Sequence, residues 1–211
     1  MTLRTPMPPD PPDSSVPDET FGASEPRARF DLDACLTQAR EASRPLAEAD
    51  RDGALRLLAE ALGGARDDLL AANAEDLERE RARGTEDALL DRLALSEARL
   101  TAMAEALRLL AELPDPLGRS LLRTTLPNGL RLERRTVPFG VIGVIYESRP
   151  NVTVDAASLA LKAGSAVVLR GSSNALASNR ALVRVMRSAL AAAGLPEDAV
   201  QLVDSPERAL V

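Results

Sequence analysis

Three short polar segments in the last third of the sequence hold the residue types that could do chemistry. Each of them directly follows a short apolar run. The segments are residues 147–151, 170–174 and 204–205. If the apolar runs are neighbouring parallel strands, their carboxyl ends meet at one edge of a sheet, which is where open α/β sheets bind ligands. The three segments would then line one crevice.

The second segment has the chemistry of a dinucleotide site. A cation at the end of such a strand suits a ribose 2′-phosphate, whereas an acid suits a free ribose hydroxyl, so Arg170 favours NADPH as the cofactor. Gly171 permits close backbone approach, and Ser172 begins a run of hydroxyl and amide donors for a phosphate or ribose. The sequence leaves open an alternative, in which residues 172–174 only cap the next helix and Arg170 is a solvated strand end.

Arg149 in the first segment is the second candidate. A guanidinium beside the N-terminus of a helix could bind an anionic substrate or polarise a carbonyl oxygen. The alternative is a surface ion pair between Arg149 and Glu147. Asn151 is predicted to cap the helix that the apolar spacing places at residues 153–162.

The sequence offers few other catalytic groups. It contains one cysteine and no histidine, so it cannot form an intramolecular disulfide, a histidine-based zinc site or a histidine base. Cys35 falls within an apolar helical stripe, which predicts a buried thiol rather than a nucleophile. Gly140 and Gly143 lie inside an apolar run and lack the spacing of the dinucleotide glycine fingerprint.

The elements that would position these groups alternate between strand and helix. The runs are short and rich in β-branched residues, which is typical of buried parallel strands. The predicted strands are residues 141–146, 166–169 and 200–203. The predicted helices between them are residues 153–162 and 175–193. Short connections of this kind imply right-handed crossovers and half of a doubly wound domain.

The sequence divides into four parts. Residues 1–28 form a proline-rich tail that is predicted to be disordered, and residues 29–117 carry apolar stripes at helical spacing, which predict a helical layer. Residues 118–137 predict a β-hairpin, because an Asn-Gly pair lies between two β-prone runs. Residues 138–211 hold the strand and helix unit, so the predicted fold class is α/β with an incomplete parallel, Rossmann-like sheet.

The last residues predict the start of another helix, with Ser205 as its N-cap and Pro206 at its first position. The sequence ends at Val211, barely one turn later. A three-stranded parallel sheet would expose an apolar edge, so we expect a truncated domain. The alternative is a short protein that closes its sheet by dimerising.

Composition excludes several classes of partner. No apolar run approaches the ~18 residues of a membrane span, and the first residues lack the pattern of a secretory signal, so a cytoplasmic protein without a membrane partner is expected. The net charge is −6 at pH 7, and no stretch gathers basic and aromatic residues. Nucleic acid is therefore not an expected partner.

The segment 137–153, which reads VPFGVIGVIYESRPNVT, resembles the hallmark segment of the gamma-glutamyl phosphate reductases. The resemblance covers about residues 31–211. Further matching segments are residues 71–77, 90–93, 126–130, 168–171, 178–180 and 200–203. The family usually shows a second glycine and a charged pair after the Arg-Gly of this region, where the present sequence has residues 172–174.

This resemblance implies an aldehyde dehydrogenase fold with cofactor-binding, catalytic and oligomerisation parts, and it assigns the hairpin to oligomerisation. It implies NADPH-dependent reduction of L-glutamyl 5-phosphate to L-glutamate 5-semialdehyde, with release of phosphate, on the route to proline. It also implies a homo-oligomer and an association with glutamate 5-kinase. The nucleophilic cysteine of the family would lie beyond Val211, so the chain alone is expected to be inactive.

The resemblance also implies roles for single residues. Arg149 falls near the asparagine that stabilises the oxyanion in the wider aldehyde dehydrogenases, and Arg170 near the lysine that holds the adenosine ribose. Ser148, Gly171 and Ser172 are further expected cofactor contacts. A hypothesis of another class is a non-catalytic truncated protein that binds a nucleotide or pairs with a complete subunit. A third is a protein-interaction module made by the helical layer alone.

Overall fold

The computed structural model describes residues 30–205. The proline-rich segment 1–28 and the helix expected from Pro206 lie outside the described residues. Among residues 30–205, no helix is both long and apolar enough to cross a membrane.

Five helices form the first part of the structure. They are α1 (Leu32–Ser43), α2 (Arg51–Gly64), α3 (Arg66–Ala82), α4 (Asp87–Leu93) and α5 (Glu97–Glu112). Three begin at a polar cap: the side chains of Asp31, Asp50 and Ser96 accept backbone N–H groups at the starts of α1, α2 and α5. Gly84, with φ of +76°, follows the end of α3 in the left-handed conformation that glycine adopts without strain.

The predicted hairpin is present as β1 (Ser120–Thr125) and β2 (Arg131–Arg135), paired antiparallel. Its turn carries Gly129 with φ of +86°, and the Asn128 Oδ1 atom accepts the backbone N–H of Leu130 at 3.1 Å. Every residue of both strands is exposed in this chain.

The parallel sheet consists of β3 (Val141–Ile145), β4 (Ala166–Arg170) and β5 (Val200–Leu202), in the order β3-β4-β5. The helices α6 (Pro150–Lys162) and α7 (Leu176–Ala192) connect consecutive strands. β4 is the central strand and is buried along nearly its whole length, whereas β3 forms a half-exposed edge. The three predicted strands, their parallel pairing and the α/β class are confirmed.

Helices α2 and α5 pack against each other and also against the sheet unit, so the apolar core is continuous from Cys35 to Val203. Lys162, the only lysine of the sequence, is buried at the end of α6. Its Nζ atom donates to Asp52 Oδ1 at 2.6 Å and to the backbone oxygen of Leu113 at 2.6 Å. This ammonium group therefore links the unit of β3–β5, α6 and α7 to the helical layer.

The predicted start of α6 was late by three residues. The helix begins at Pro150, which occupies the first helical turn where its missing N–H costs nothing. Asn151 therefore lies inside the helix, and the expectation that it caps the helix was wrong. Its side-chain amide instead donates to Asp155 Oδ2 at 3.2 Å, one turn further along α6.

Candidate functional site

The ends of the three parallel strands lie side by side, as the sequence predicted. The ladder continues one step past the strands, because the Tyr146 N–H donates to the Arg170 oxygen at 3.0 Å. On the other side, the Val203 N–H donates to the Leu169 oxygen at 2.8 Å. The segments that begin at residues 147, 171 and 204 therefore leave the sheet from the same edge, which is the edge where such sheets bind ligands.

The second segment combines a cation, a glycine and a hydroxyl at the end of the buried central strand. Arg170 is half-buried, and its Nη1 atom donates to the backbone oxygen of Gly171 at 3.1 Å. The Ser172 Oγ atom accepts the Asn174 N–H at 3.3 Å and so caps a single 3₁₀ turn, Ser173–Ala175. The capping alternative thus holds for this turn, while α7 itself starts later and is capped by a different residue.

The residue that caps α7 is Asp76 of α3, about a hundred positions before α7 in the sequence. Its buried carboxylate accepts the N–H groups of Ala177 at 3.1 Å and of Ser178 at 2.8 Å, in the first turn of α7. Arg79, which also pairs with Asp76, donates to the backbone oxygen of Asn174 at 3.2 Å. Hydrogen bonds from α3 of the helical layer therefore fix the loop after β4 and the first turn of α7.

Gly171 is packed against a buried polar network. A Cβ atom at this position would lie 2.2 Å from Asn179 Nδ2 and 3.1 Å from the hydroxyl oxygen of Tyr146. The backbone of the loop can follow this path only because residue 171 has no side chain.

The network itself runs from the phenol of Tyr146 through Thr153 to Asn179. The Thr153 Oγ1 atom donates to Asn179 Oδ1 at 2.8 Å, so the hydrogen bond of 2.7 Å between Tyr146 and Thr153 has the phenol as its donor. Burial raises the pKa of Tyr146 to about 12, opposed by its bond to Thr153. Asn179 Nδ2 is buried and has no hydrogen-bond partner within the part of the chain that the structure describes.

Sequence reasoning gave no role to these three residues. Tyr146, Thr153 and Asn179 lie on a strand end and two different helices, so no periodic pattern relates them. The available signal was that all three fall within segments already noted for their resemblance to a family.

Arg149 is exposed and forms the N-cap of α6 through its backbone. The expected alternative, an ion pair with Glu147, is not formed; only the Arg149 N–H and the Glu147 oxygen are bonded, at 2.8 Å. Ser148, next to it, is half-buried. The guanidinium is therefore available to a ligand at the end of β3.

Residues 16–211 match the family model for the aldehyde dehydrogenase family. The chain belongs to the aldehyde dehydrogenase family. Members of this family use nicotinamide cofactors.

Within this family, the chain is similar to gamma-glutamyl phosphate reductases, which confirms the resemblance noted in the sequence. It is 50% identical to that of Paramagnetospirillum magneticum over 188 residues, which is 86% of this chain and 44% of the relative. It is 52% identical to that of Kineococcus radiotolerans over 178 residues, which is 83% of this chain and 41% of the relative. The chain thus spans less than half of the length of these relatives.

Two solved structures of gamma-glutamyl phosphate reductases also resemble this chain. The gamma-glutamyl phosphate reductase of Thermotoga maritima matches with a TM-score of 0.82 at 40% identity, covering 84% of this chain and 44% of that one. That of Saccharomyces cerevisiae matches with a TM-score of 0.79 at 29% identity, covering 86% of this chain and 48% of that one.

The donor set at the strand ends fits a nicotinamide dinucleotide. Arg170 supplies a cation, and Ser148 and Ser172 supply hydroxyl groups, whereas Gly171 is buried and its side-chain position faces Asn179 and Tyr146. These groups would hold the phosphates and ribose of the cofactor, which itself supplies the hydride chemistry.

Cys35, by contrast, is not placed for catalysis. Its side chain is 6% exposed within α1, and burial raises the pKa of the thiol. The prediction of a buried structural cysteine is confirmed. Within residues 30–205, no cluster of three or more potential ligands could hold a metal ion.

Proposed function

We propose that this chain is the cofactor-binding part of an NADPH-dependent gamma-glutamyl phosphate reductase. The reaction reduces L-glutamyl 5-phosphate to L-glutamate 5-semialdehyde with release of phosphate, in proline biosynthesis. The observation that carries the proposal is the position of Arg170, Gly171 and Ser172 at the end of the buried central strand β4. The similarity to reductases of about half identical sequence supports it.

The residues of the proposed site have three different binding roles. Arg170 binds the 2′-phosphate of the adenosine ribose, and Ser148, Gly171 and Ser172 contact the remaining phosphates and hydroxyl groups. Arg149 binds the substrate or stabilises the oxyanion that develops on the carbonyl oxygen of the substrate. The only cysteine of the sequence is buried. A nucleophilic thiol must therefore come from residues outside these 211.

The proposal extends to the organisation of the complete enzyme. Residues 29–117 serve as the helical layer, 118–137 as the oligomerisation hairpin and 138–211 as the dinucleotide-binding unit of a cytoplasmic homo-oligomer. The exposed strands of the hairpin, with Leu121 52% and Leu132 47% exposed, support an oligomerisation role. Association with glutamate 5-kinase, which would supply the acyl phosphate, belongs to the same proposal.

Cofactor titration tests the proposal directly. The sequence has no tryptophan, so the fluorescence of NADPH or NADH can be followed on binding to the 211-residue chain without transfer from indole. We expect NADPH to bind about tenfold more tightly than NADH, because Arg170 forms a charge-assisted bond with the 2′-phosphate. Arg170→Ala should remove this preference, whereas Arg108→Ala, an exposed arginine on α5, should leave it unchanged.

Two results would contradict the proposal. One is an absence of NADPH binding, and the other is an unchanged preference in Arg170→Ala. The chain alone should also show no reductase turnover, because it lacks an accessible thiol.

A second candidate function is a non-catalytic protein that binds a nucleotide or pairs with a complete subunit. The observation in its favour is that the three strand ends lie side by side in a chain whose only thiol is buried. Intact mass measurement of the product in its own cells separates the two candidates. A product far heavier than 211 residues supports the reductase, and a product of 211 residues supports the second candidate.

A further inference from the structure

A cavity of about 440 Å³ lies beside the end of β3, between the α4–α5 connection and the first turns of α6. Ligand sites typically have volumes of about 300–1,000 Å³. The charged and amide side chains of its wall are Asp91, Arg92, Arg99, Arg149, Asn151 and Asp155. This wall contains three arginines, which are brought together from the end of α4, the first turn of α5 and the N-cap of α6.

The three arginines differ in what they already bind. Arg99 is engaged within the wall, since its Nη1 atom donates to the backbone oxygen of Ala94 at 2.6 Å and its Nη2 atom to Asp91 Oδ1 at 3.1 Å. Arg92 and Arg149 form no side-chain hydrogen bond or ion pair with any residue in the range 30–205. Arg92 and Arg149 therefore bring two guanidinium groups that are unpaired within the described residues to the wall of one cavity. Each group carries five N–H donors, so the pair offers ten.

The carboxylates of the wall do not satisfy these two arginines. Asp91 is paired with Arg99. Asp155 accepts a hydrogen bond from Asn151, and partial burial raises the pKa of its carboxyl group, opposed by that bond. Neither carboxylate is hydrogen-bonded or ion-paired to Arg92 or Arg149.

The electrostatic potential at this side of the cavity, where α6 begins, favours the binding of an anion. Arg149 occupies the N-cap of α6, where the helix dipole already contributes positive potential, and the first turn of α6 contains no acidic residue. A cation at the N-terminus of a helix is the reverse of the stabilising arrangement. A bound anion between Arg92 and Arg149 would offset both the dipole and the mutual repulsion of the guanidinium groups.

Arg149 also joins the cavity to the strand-end crevice. It lies four residues after the end of β3, whose last residue, Ile145, pairs with Arg170 at the end of the neighbouring strand β4. A ligand held by Arg149 in the cavity would thus lie at the same edge of the sheet as a cofactor held at the strand ends.

We propose that this cavity is the binding site for an oxyanion group of an amino-acid acyl phosphate, with Arg92 and Arg149 as its two guanidinium ligands. The proposal rests on the function proposed above and adds Arg92 to the site as a residue that determines substrate specificity. The group bound is either the phosphate or the α-carboxylate of the substrate, since both accept paired N–H donors from a guanidinium.

Binding of two stable probes to the 211-residue chain tests this assignment. Inorganic phosphate is followed by ³¹P line broadening, and L-glutamate by saturation-transfer NMR. At least one probe should bind, and Arg92→Ala and Arg149→Ala should each weaken its binding by about tenfold or more, as expected for a lost charge-assisted contact. A stronger effect on phosphate than on glutamate would assign the cavity to the phosphate, and the reverse would assign it to the carboxylate.

Two further variants serve as controls. Arg108→Ala removes an exposed arginine of α5 that does not line the cavity, and it should bind the probes like the unmodified chain. Arg92→Lys retains the charge without the planar fork and should recover part of the affinity. Because the side chain of Arg92 has no partner within residues 30–205, its replacement should leave the far-ultraviolet circular dichroism unchanged.

The assignment is overturned if neither probe binds, or if Arg92→Ala binds the probe as tightly as Arg108→Ala does. NADPH titration of the same variants separates this failure from failure of the proposed function. Probe binding that depends on Arg92 in a chain that does not bind NADPH supports the anion site and contradicts the cofactor proposal. NADPH binding without any probe binding supports the cofactor proposal and contradicts the anion site.

Discussion

Replacing Gly171 with alanine should destabilise the protein, although it adds only one methyl group. The new Cβ would lie 2.2 Å from Asn179 Nδ2, whereas ordinary contacts begin at 3.4 Å, so the overlap is 1.2 Å. The amide cannot swing away freely, because Asn179 is fully buried and its Oδ1 atom is held by Thr153 at 2.8 Å. Tyr146, 3.1 Å from the new methyl group, closes the other side.

The size of the effect follows from three contributions. Overpacking a close-packed site costs about 1–3 kcal/mol, and disturbing the Thr153 to Asn179 hydrogen bond costs about 1 kcal/mol. Alanine also restricts the unfolded chain, which offsets about 0.4–1 kcal/mol, since Gly171 does not need a left-handed φ. We therefore expect the free energy of unfolding to fall by about 1–4 kcal/mol in urea titrations followed by circular dichroism.

Gly143→Ala is the matched control. Gly143 lies in the exposed edge strand β3, and its added methyl group would have no atom within 4 Å. It should change the free energy of unfolding by less than about 1 kcal/mol. Adding Asn179→Ala to Gly171→Ala should cost less than the sum of the two single changes, because the overlapping atom is gone. Equal losses for the two glycine variants, or strict additivity with Asn179→Ala, would refute this account of Gly171.

Two other predictions concern the groups around the site. Tyr146 is the only tyrosine of the sequence, so the absorbance of tyrosinate at high pH should titrate near its pKa of about 12 in the folded chain, and near its ordinary value of about 10 in urea. Since the folded pKa is the higher one, the contribution of this group to stability is complete below pH ~10 and is lost as pH rises toward ~12; a single titration near 10 in both states would contradict the burial of the phenol. Asp76→Asn should lower the free energy of unfolding by about 2–4 kcal/mol, because a buried acceptor of several donors becomes partly a donor itself. Glu75→Gln, at the next and exposed position, should change it by less than about 0.5 kcal/mol, and equal effects of the two would show that Asp76 does not cap α7.

The parts of the fold that depend on local pattern could be predicted from the sequence. The parallel strands were recognisable because short β-branched runs alternate with helical spacing, and the hairpin because Asn128 and Gly129 favour a tight turn. The buried state of Cys35 followed from its place in an apolar stripe. The start of α6 was misplaced because Asn151 is a better cap by residue preference, whereas Pro150 fixes the first turn by its backbone angle.

The parts of the site that depend on tertiary contact could not be predicted. The carboxylate that caps α7 comes from α3, so residues 76 and 178 meet only after the helical layer has packed on the sheet unit. The same holds for the hydrogen bond between Thr153 and Asn179, and for the cavity that Arg92 shares with Arg149. No periodicity in a single sequence relates residues this far apart.

These contacts also decide how the helical layer is best understood. An independent interaction module would present its own core and could leave the sheet unit unaffected. Here Asp76 and Arg79 of α3 hold the start of α7 and the loop after β4, and Asp52 of α2 pairs with Lys162 of α6. Because the apolar core is also shared between the two parts, the layer acts as the support that fixes the position of Arg170 and its neighbours. Outside the cavity that Arg92 lines, the charged surface of the layer is therefore better explained by solvation than by a separate binding role.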